Sequence, residues 1–287
     1  MGWRLDLPPP VGAFATVDGA KVHYVRKGEG PTLILIHGAS GNVRDWTFQH
    51  VDRLAERFDV IAMDRPGHGY SDRVAGADDP RVQARHLAKA ARALGVEHAV
   101  VTGHSFGGTV ALAWAIEVPE QVSALCLLAA PSHRWEGTVA QIYVLTDHWL
   151  LGPPVALLYP LFASDTLVRD TLNRVFDPIT APDGYPDHIG AALALRYTSV
   201  RWNAADVARL KPRVVEMTPH YPGLTMPVEM IHGTSDTIVP FDIHTAHLIK
   251  AVPNGRLTLL ENAGHMPHHS HIDPFFAALD RIRDGLG

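Results

Sequence analysis

At 287 residues the chain can bury a substantial core, and its length suits one α/β domain with an insertion rather than a string of small modules. With 46% hydrophobic and 19% charged residues it is neither a disordered nor a membrane-embedded composition. A formal net charge of -5, without any run of Lys and Arg interleaved with aromatics, leaves no basic field to hold nucleic-acid phosphates.

The first ten residues, Met1 to Pro10, lack the apolar stretch of a signal peptide, and Asp6 stands where an N-myristoylation motif needs Ser or Thr. Ala13 to Asp18 and Val22 to Val25 flank Asp18-Gly19, the pattern of a hairpin on an antiparallel edge. Leu33 to Ile36 is the first continuous apolar run and reads as a buried parallel strand. It ends in His37-Gly38-Ala39-Ser40-Gly41, where small residues let backbone N–H groups approach a ligand closely. Trp46, Val51, Leu54 and Phe58 recur at near-helical spacing before the next strand, Val60 to Met63. The loop Asp64-Arg65-Pro66-Gly67-His68-Gly69-Tyr70-Ser71 reads as ordered scaffold, with Asp64 and Arg65 as a possible structural pair. Leu87, Ala90, Ala91 and Leu94 then mark a helix that stops at Gly95.

Ala99 to Thr102 is a strand, Gly103-His104-Ser105-Phe106-Gly107-Gly108 follows, and Thr109 to Glu117 has the composition of a helix. Gly-x-Ser-x-Gly in strand–turn–helix context marks a nucleophile elbow, in which glycines are needed because the turn is tight and its neighbours are close. Ser105 is therefore the expected nucleophile, and the Ala39 and Phe106 N–H groups are expected to form an oxyanion hole, with Ser40 a further possible donor. Leu125 to Leu128 is the next strand and carries the single cysteine, Cys126. An internal disulfide is ruled out, and a packed thiol suits a reducing compartment, so the chain reads as cytoplasmic.

From Pro131 to Pro222 the alternation breaks into Leu-, Tyr-, Trp- and Pro-rich helical patches. Residues 131–222 are expected to form a helical cap on a core of residues 1–130 and 223–287. Its apolar segment Trp149 to Ala163 is interrupted by Gly152, Pro153, Pro154 and Pro160 and is too short to span a membrane. Trp149, Leu150, Leu151, Leu157, Leu158, Tyr159, Leu161 and Phe162 either line an apolar pocket or pack the cap onto the core.

Val228 to Ile231 resumes the strand pattern and runs into His232-Gly233-Thr234-Ser235-Asp236. An acid just past the carboxyl end of a strand lies where ligands gather in open α/β sheets, so Asp236 is expected to orient the catalytic base, with Asp242 the lesser choice. The last strand, Leu257 to Leu260, leads to Gly264-His265, and His265 is the expected general base. His268, His269 and His271 are spaced for metal binding but lack an evident carboxylate or cysteine partner, so they read as solvated or helix-start residues; neither a metal nor another cofactor is expected.

Taken together, His37-Gly38, Asp64 to Ser71, Gly103 to Gly108, Gly233 to Asp236 and Gly264-His265, in that order, resemble the α/β-hydrolase fold family, in particular its capped serine esterases, perhydrolases and carbon–carbon bond hydrolases. The resemblance covers nearly the whole chain. It implies a mostly parallel eight-stranded sheet flanked by helices, with an inserted helical cap. It also implies a Ser-His-Asp triad acting through an acyl-enzyme on a carboxylic ester, and an apolar pocket lined by the cap residues would favour small or medium hydrophobic esters. Carbon–carbon bond hydrolysis or lactone opening by the same triad, and a non-catalytic ligand-binding role, are the alternatives. The haloalkane dehalogenase and epoxide hydrolase branches, which use an aspartate nucleophile, are disfavoured by Ser105 and by Ala39-Ser40 after the first His-Gly. A small-molecule substrate is the expected partner; no heptad seam or self-complementary patch speaks to oligomeric state.

Overall fold

The computed structural model describes residues 7–286; the reading of Asp6 and the residues before it lies outside them. Eight strands form one sheet: β1 (Ala13–Val17), β2 (Ala20–Lys27), β3 (Thr32–Ile36), β4 (Asp59–Met63), β5 (Ala99–His104), β6 (Val122–Leu128), β7 (Val228–Gly233) and β8 (Gly255–Leu260). Their order is β1-β2-β4-β3-β5-β6-β7-β8. The β1–β2 and β2–β4 pairings are antiparallel and all others parallel, as the sequence pattern predicts.

The central strands are continuous apolar runs because both faces are covered, and the two-residue repeat of a strand divides each run between them. Ile34 and Ile36 of β3 pack with Val101, Leu112 and Trp114 on one face. Leu33 and Leu35 pack with Phe58, Val60 and Phe275 on the other.

The helices are α1 (Arg44–Thr47), α2 (Val51–Leu54), α3 (Pro80–Ala93), α4 (Phe106–Glu117), α5 (Gln141–Asp147), α6 (Gly152–Leu158), α7 (Asp165–Phe176), α8 (Tyr185–His188), α9 (Ala191–Leu195), α10 (Tyr197–Met217), α11 (Thr245–Ala251), α12 (Pro267–Ser270) and α13 (Ile272–Gly285). The start of α3 is set by Asp79, whose carboxylate accepts the Arg81 N–H, and by Pro80 at its first position. Helix α4 is apolar on every side and lies buried beneath the sheet's C-terminal edge, with Val110 to Trp114 fully covered.

Between β6 and β7 the described residues contain no strand, only α5 to α10 and short 3₁₀ turns. The apolar side chains of this segment are not arranged as the sequence suggested. Of the eight residues named above from Trp149 to Phe162, Tyr159 alone lines the cavity beneath α5, α7 and α10, and Trp149, Leu157, Leu161 and Phe162 are each at least 65% exposed. Helix α6 and the turn after it contribute one face inward and leave the other to solvent. No helix among the described residues is long and apolar enough to cross a membrane. Cys126 is buried in β6.

Candidate active site

The turn after β5 holds Ser105 at φ 51°, ψ -124°, a backbone region that costs about 1–3 kcal/mol for a residue with a side chain. The Ser105 N–H donates to the Leu128 carbonyl at 2.8 Å, which pins the turn to the neighbouring strand. The two flanking glycines are steric requirements. A Cβ on Gly103 would fall on the backbone of Gly107 and Gly108, and one on Gly107 would fall on the carbonyl oxygens of Ile36 and His37. Gly107→Ala is therefore expected to cost more than about 3 kcal/mol, because rigid backbone has to move. A urea midpoint within error of the parent would contradict this.

Asp236 and His265 come from the loops after β7 and β8, and the sheet edge brings both to Ser105. His265 Nε2 lies 2.9 Å from Ser105 Oγ, and His265 Nδ1 lies 2.8 Å from Asp236 Oδ2. Burial raises the Asp236 carboxyl, but the nearby His265 and His232 and the Val239 N–H outweigh it and hold the group well below the ordinary carboxylate range. Its other oxygen, Oδ1, accepts the N–H groups of Ile238 and Val239, both at 2.9 Å. An ionised Asp236 takes the Nδ1–H of the imidazole, which leaves the Nε2 lone pair to accept the Ser105 hydroxyl proton. The two loops are tied together, since the Ser235 N–H donates to the Ala263 carbonyl and the Asn262 N–H to Thr234 Oγ1. Asp242 is exposed and is not part of this line.

The loop after β3 lies against Ser105: a Cβ on Gly38 would come within 3.2 Å of the Ser105 Cβ. The Phe106 N–H opens α4, where intrahelical partners are lacking. Among the described residues, neither it nor the Ala39 N–H donates a hydrogen bond within the chain. The Ser40 N–H is already committed to Asn203 Oδ1 of α10 at 2.7 Å, and Ser40 also borders the cavity beneath α5, α7 and α10.

Arg65 does not pair with Asp64. Asp64 accepts from His23 Nδ1 at 2.7 Å and from the Val43 and Tyr70 N–H groups. Arg65, fully buried, donates to the carbonyls of His37 and Gly38 on the loop beside Ser105, and to Gln83 Oε1 and Asp206 Oδ2 at 3.0 Å each. Asp206, on α10, also meets His68 at 3.1 Å and Arg73 at 2.8 Å. Burial raises its carboxyl, yet the His68 hydrogen bond and the charges of Arg65 and Arg73 bring it down to about 2. Burial in turn lowers the Arg65 guanidinium to about 10. Sequence reasoning missed Asp206 and Asn203 because they sit in an ordinary amphipathic helix and face the core through contacts more than 130 residues away in the chain.

Two histidines in this shell are kept neutral. His68 is lowered to about 4 by burial and by Arg65. His244 is lowered to about 4 by burial and by neighbouring histidines, and its Nδ1 accepts the N–H groups of Ser132 and His133. In the unfolded chain both titrate near 6.5, so between pH 6.5 and 4 the unfolded state binds more protons. Stability is then fully present above pH 6.5 and falls on acidification through that window, by on the order of 3 kcal/mol for each group. Thermal melts between pH 7.5 and 4.5 should show a steep decline below pH 6.5; a flat profile would contradict it.

His268 and His269 are buried, not solvated, because α12 turns them inward onto Asp45: His269 Nε2–H donates to Oδ1 at 2.8 Å, and His268 Nε2 faces Oδ2 at 3.3 Å. His104 Nε2–H donates to the His265 carbonyl at 2.8 Å and so fixes the loop that carries the imidazole. A cavity of about 220 Å³ runs from Ser40 and Asn203 beneath α5, α7 and α10 and is walled by Ile142, Tyr143, Leu167, Val168, Leu195 and Val200.

Residues 31–154 match the family model described as the alpha/beta hydrolase fold. The chain is 30% identical, over 95% of its length and 69% of the relative's, to the dihydrolipoyllysine-residue acetyltransferase component of the acetoin cleaving system of Cupriavidus necator. It is 29% identical to the 2-hydroxymuconate semialdehyde hydrolase of Pseudomonas putida, over 93% of this chain and 92% of that one. Among solved structures, an esterase from a Rhodococcus species superimposes with a TM-score of 0.76 at 22% identity, covering 97% of this chain and 100% of the other. With its sheet order, its strained Ser105 turn and these relatives, the chain belongs to the α/β-hydrolase fold family.

Proposed function

We propose that this protein is a serine hydrolase that cleaves small or medium hydrophobic carboxylic esters through an acyl-enzyme. The observation that carries this reading is the unbroken hydrogen-bonded line Ser105–His265–Asp236, with a buried, ionised acid at its far end. Ser105 Oγ attacks the ester carbonyl while His265 Nε2 takes its proton. The tetrahedral oxyanion is bound by the N–H groups of Ala39 and Phe106, each such donor contributing about 3 kcal/mol. Collapse expels the alcohol, protonated by His265. Water then attacks the acyl-Ser105 ester with His265 as base, and the acid leaves with Ser105 restored.

In this reading residues 131–222 act as the cap, and the apolar cavity beneath α5 and α7 receives the hydrophobic part of the substrate. A buried lone thiol fits a cytoplasmic setting. A series of nitrophenyl esters tests the pocket. Each methylene that enters it should raise kcat/KM roughly fourfold, at about 0.8 kcal/mol, until the cavity is full and the rate falls. Turnover indifferent to chain length would contradict an apolar acyl site. The second reading, carbon–carbon bond hydrolysis, is favoured by the 2-hydroxymuconate semialdehyde hydrolase among the relatives; faster turnover of vinylogous diketones than of esters would select it. Lactones belong in the same panel. A non-catalytic ligand-binding protein would turn over none of these.

A further inference from the structure

Behind the nucleophile, on the α2–α12 side of the sheet, lies a group of histidines that the proposed chemistry does not use. His50 precedes α2, and His268 and His269 are consecutive in α12. All three are buried, and one ligand-capable atom from each lies within 4.8 Å of the others. Neither nitrogen of His50 has a hydrogen-bond partner, and neither does His268 Nδ1. The wall around them is aromatic: the His50 ring centroid is 5.8 Å from that of Trp46 and 5.7 Å from that of Phe275. An imidazole sealed in such a place with both nitrogens unpartnered is unfavourable unless something supplies the missing contact.

We propose that His50, His268 and His269 bind one divalent transition-metal ion of the zinc class, with Asp45 as the carboxylate that orients two of them. Asp45 accepts the Nε2–H of His269 and faces Nε2 of His268, and its Oδ1 also takes the Tyr185 hydroxyl at 2.7 Å. A carboxylate behind a metal-bound imidazole fixes the tautomer and raises the basicity of the opposite nitrogen. In His268 that opposite nitrogen is the unpartnered Nδ1. In His269 it accepts only the Gln49 side-chain amide at 3.0 Å, and Gln49 is part-exposed, so its amide can pass to water. Zinc at about 2.0–2.1 Å from each nitrogen would draw the three to about 3.4 Å apart, against the 4.8 Å within which one nitrogen of each residue lies here. Neutral imidazoles select zinc, cobalt or nickel over magnesium and calcium, which need oxygen ligands. Three histidines leave a fourth position for a water.

The site is not part of the triad. The His104 ring stands between them, its centroid 4.6 Å from that of His268 and 4.9 Å from that of His265. The ion's role is to clamp α12, and with it the His265 loop, onto α1 and α2. In this proposal His50, not His271, joins His268 and His269, and Asp45 is the carboxylate that the local sequence lacked.

Cobalt(II) titrated into the chelator-treated full chain tests this. The expected result is an intense visible d–d spectrum saturating at one equivalent, displaced by zinc, with zinc raising the melting temperature by on the order of 5 °C. His50→Phe should abolish both responses while melting cooperatively; His269→Gln serves the same purpose should that variant not fold. The pair of His133 and exposed His247, with centroids 5.5 Å apart, serves as the control for adventitious metal, and His247→Gln should leave the cobalt spectrum intact. Absence of a one-equivalent spectrum in the parent protein would overturn the proposal. So would a spectrum that survives His50→Phe and disappears in His247→Gln.

Discussion

Ser105→Ala, His265→Ala and the double substitution should each lose on the order of 10⁶-fold in kcat on the best ester of the series, and the double variant should be no worse than either single. The non-additivity follows from the geometry. His265 Nε2 is aimed at Ser105 Oγ at 2.9 Å, and the proton it takes from Ser105 is the one it passes to the leaving alcohol, so removing either partner removes the same event. Asp236→Asn should cost less, about 10⁴-fold, because the amide offers an N–H where Nδ1–H now donates and favours the wrong tautomer. Thermal stability should be nearly unchanged in Ser105→Ala, which keeps the Cβ and the strained backbone. Single variants whose losses multiplied in the double would mean that the two residues act independently.

Asp206→Ala should be strongly destabilising. It leaves the guanidinium of Arg65, fully buried, without its carboxylate, and uncompensated buried charge costs about 3–5 kcal/mol. In a chain of this size that is a fall in melting temperature on the order of 10 °C. Replacing both partners, Arg65→Met with Asp206→Leu, should recover much of the stability, because an apolar pair of similar volume avoids the desolvation of two ions. Activity should not recover with it. Arg65 also donates to the carbonyls of His37 and Gly38, and without those bonds the loop that presents the Ala39 N–H loses its anchor. Recovery of stability with kcat/KM still depressed would separate the two duties of Arg65. A shift under 2 °C in Asp206→Ala would mean that the buried cluster is not under electrostatic tension.

What the sequence made legible, and what it hid, has a physical basis. Leu33 to Ile36 and Val60 to Met63 are read as strands because a strand covered on both faces has to be apolar at every position, and no partner needs to be known to see it. Ser105 is legible because Gly103 and Gly107 are demanded by close backbone contacts that leave a mark on the residues themselves. Asp236 and His265 follow from their places just past strand ends. The hidden features depend on partners distant in the chain. Asp206 has the local pattern of a solvated helix residue, and only the fold brings it to Arg65, 141 residues away. His268 and His269 after Pro267 look like an open helix start until Asp45, more than 220 residues earlier, draws them inside. Trp149, Leu157, Leu161 and Phe162 fail in the opposite sense: their composition says interior, but the short helices that carry them are covered on one side only.

The central claim is that Ser105 becomes acylated, and intact-mass analysis after treatment with a fluorophosphonate tests it most directly, because the reagent phosphonylates an activated serine without requiring the right ester. One adduct on the parent protein and none on Ser105→Ala is the result this geometry predicts. An unlabelled parent protein, or an adduct that persists in Ser105→Ala, would contradict it.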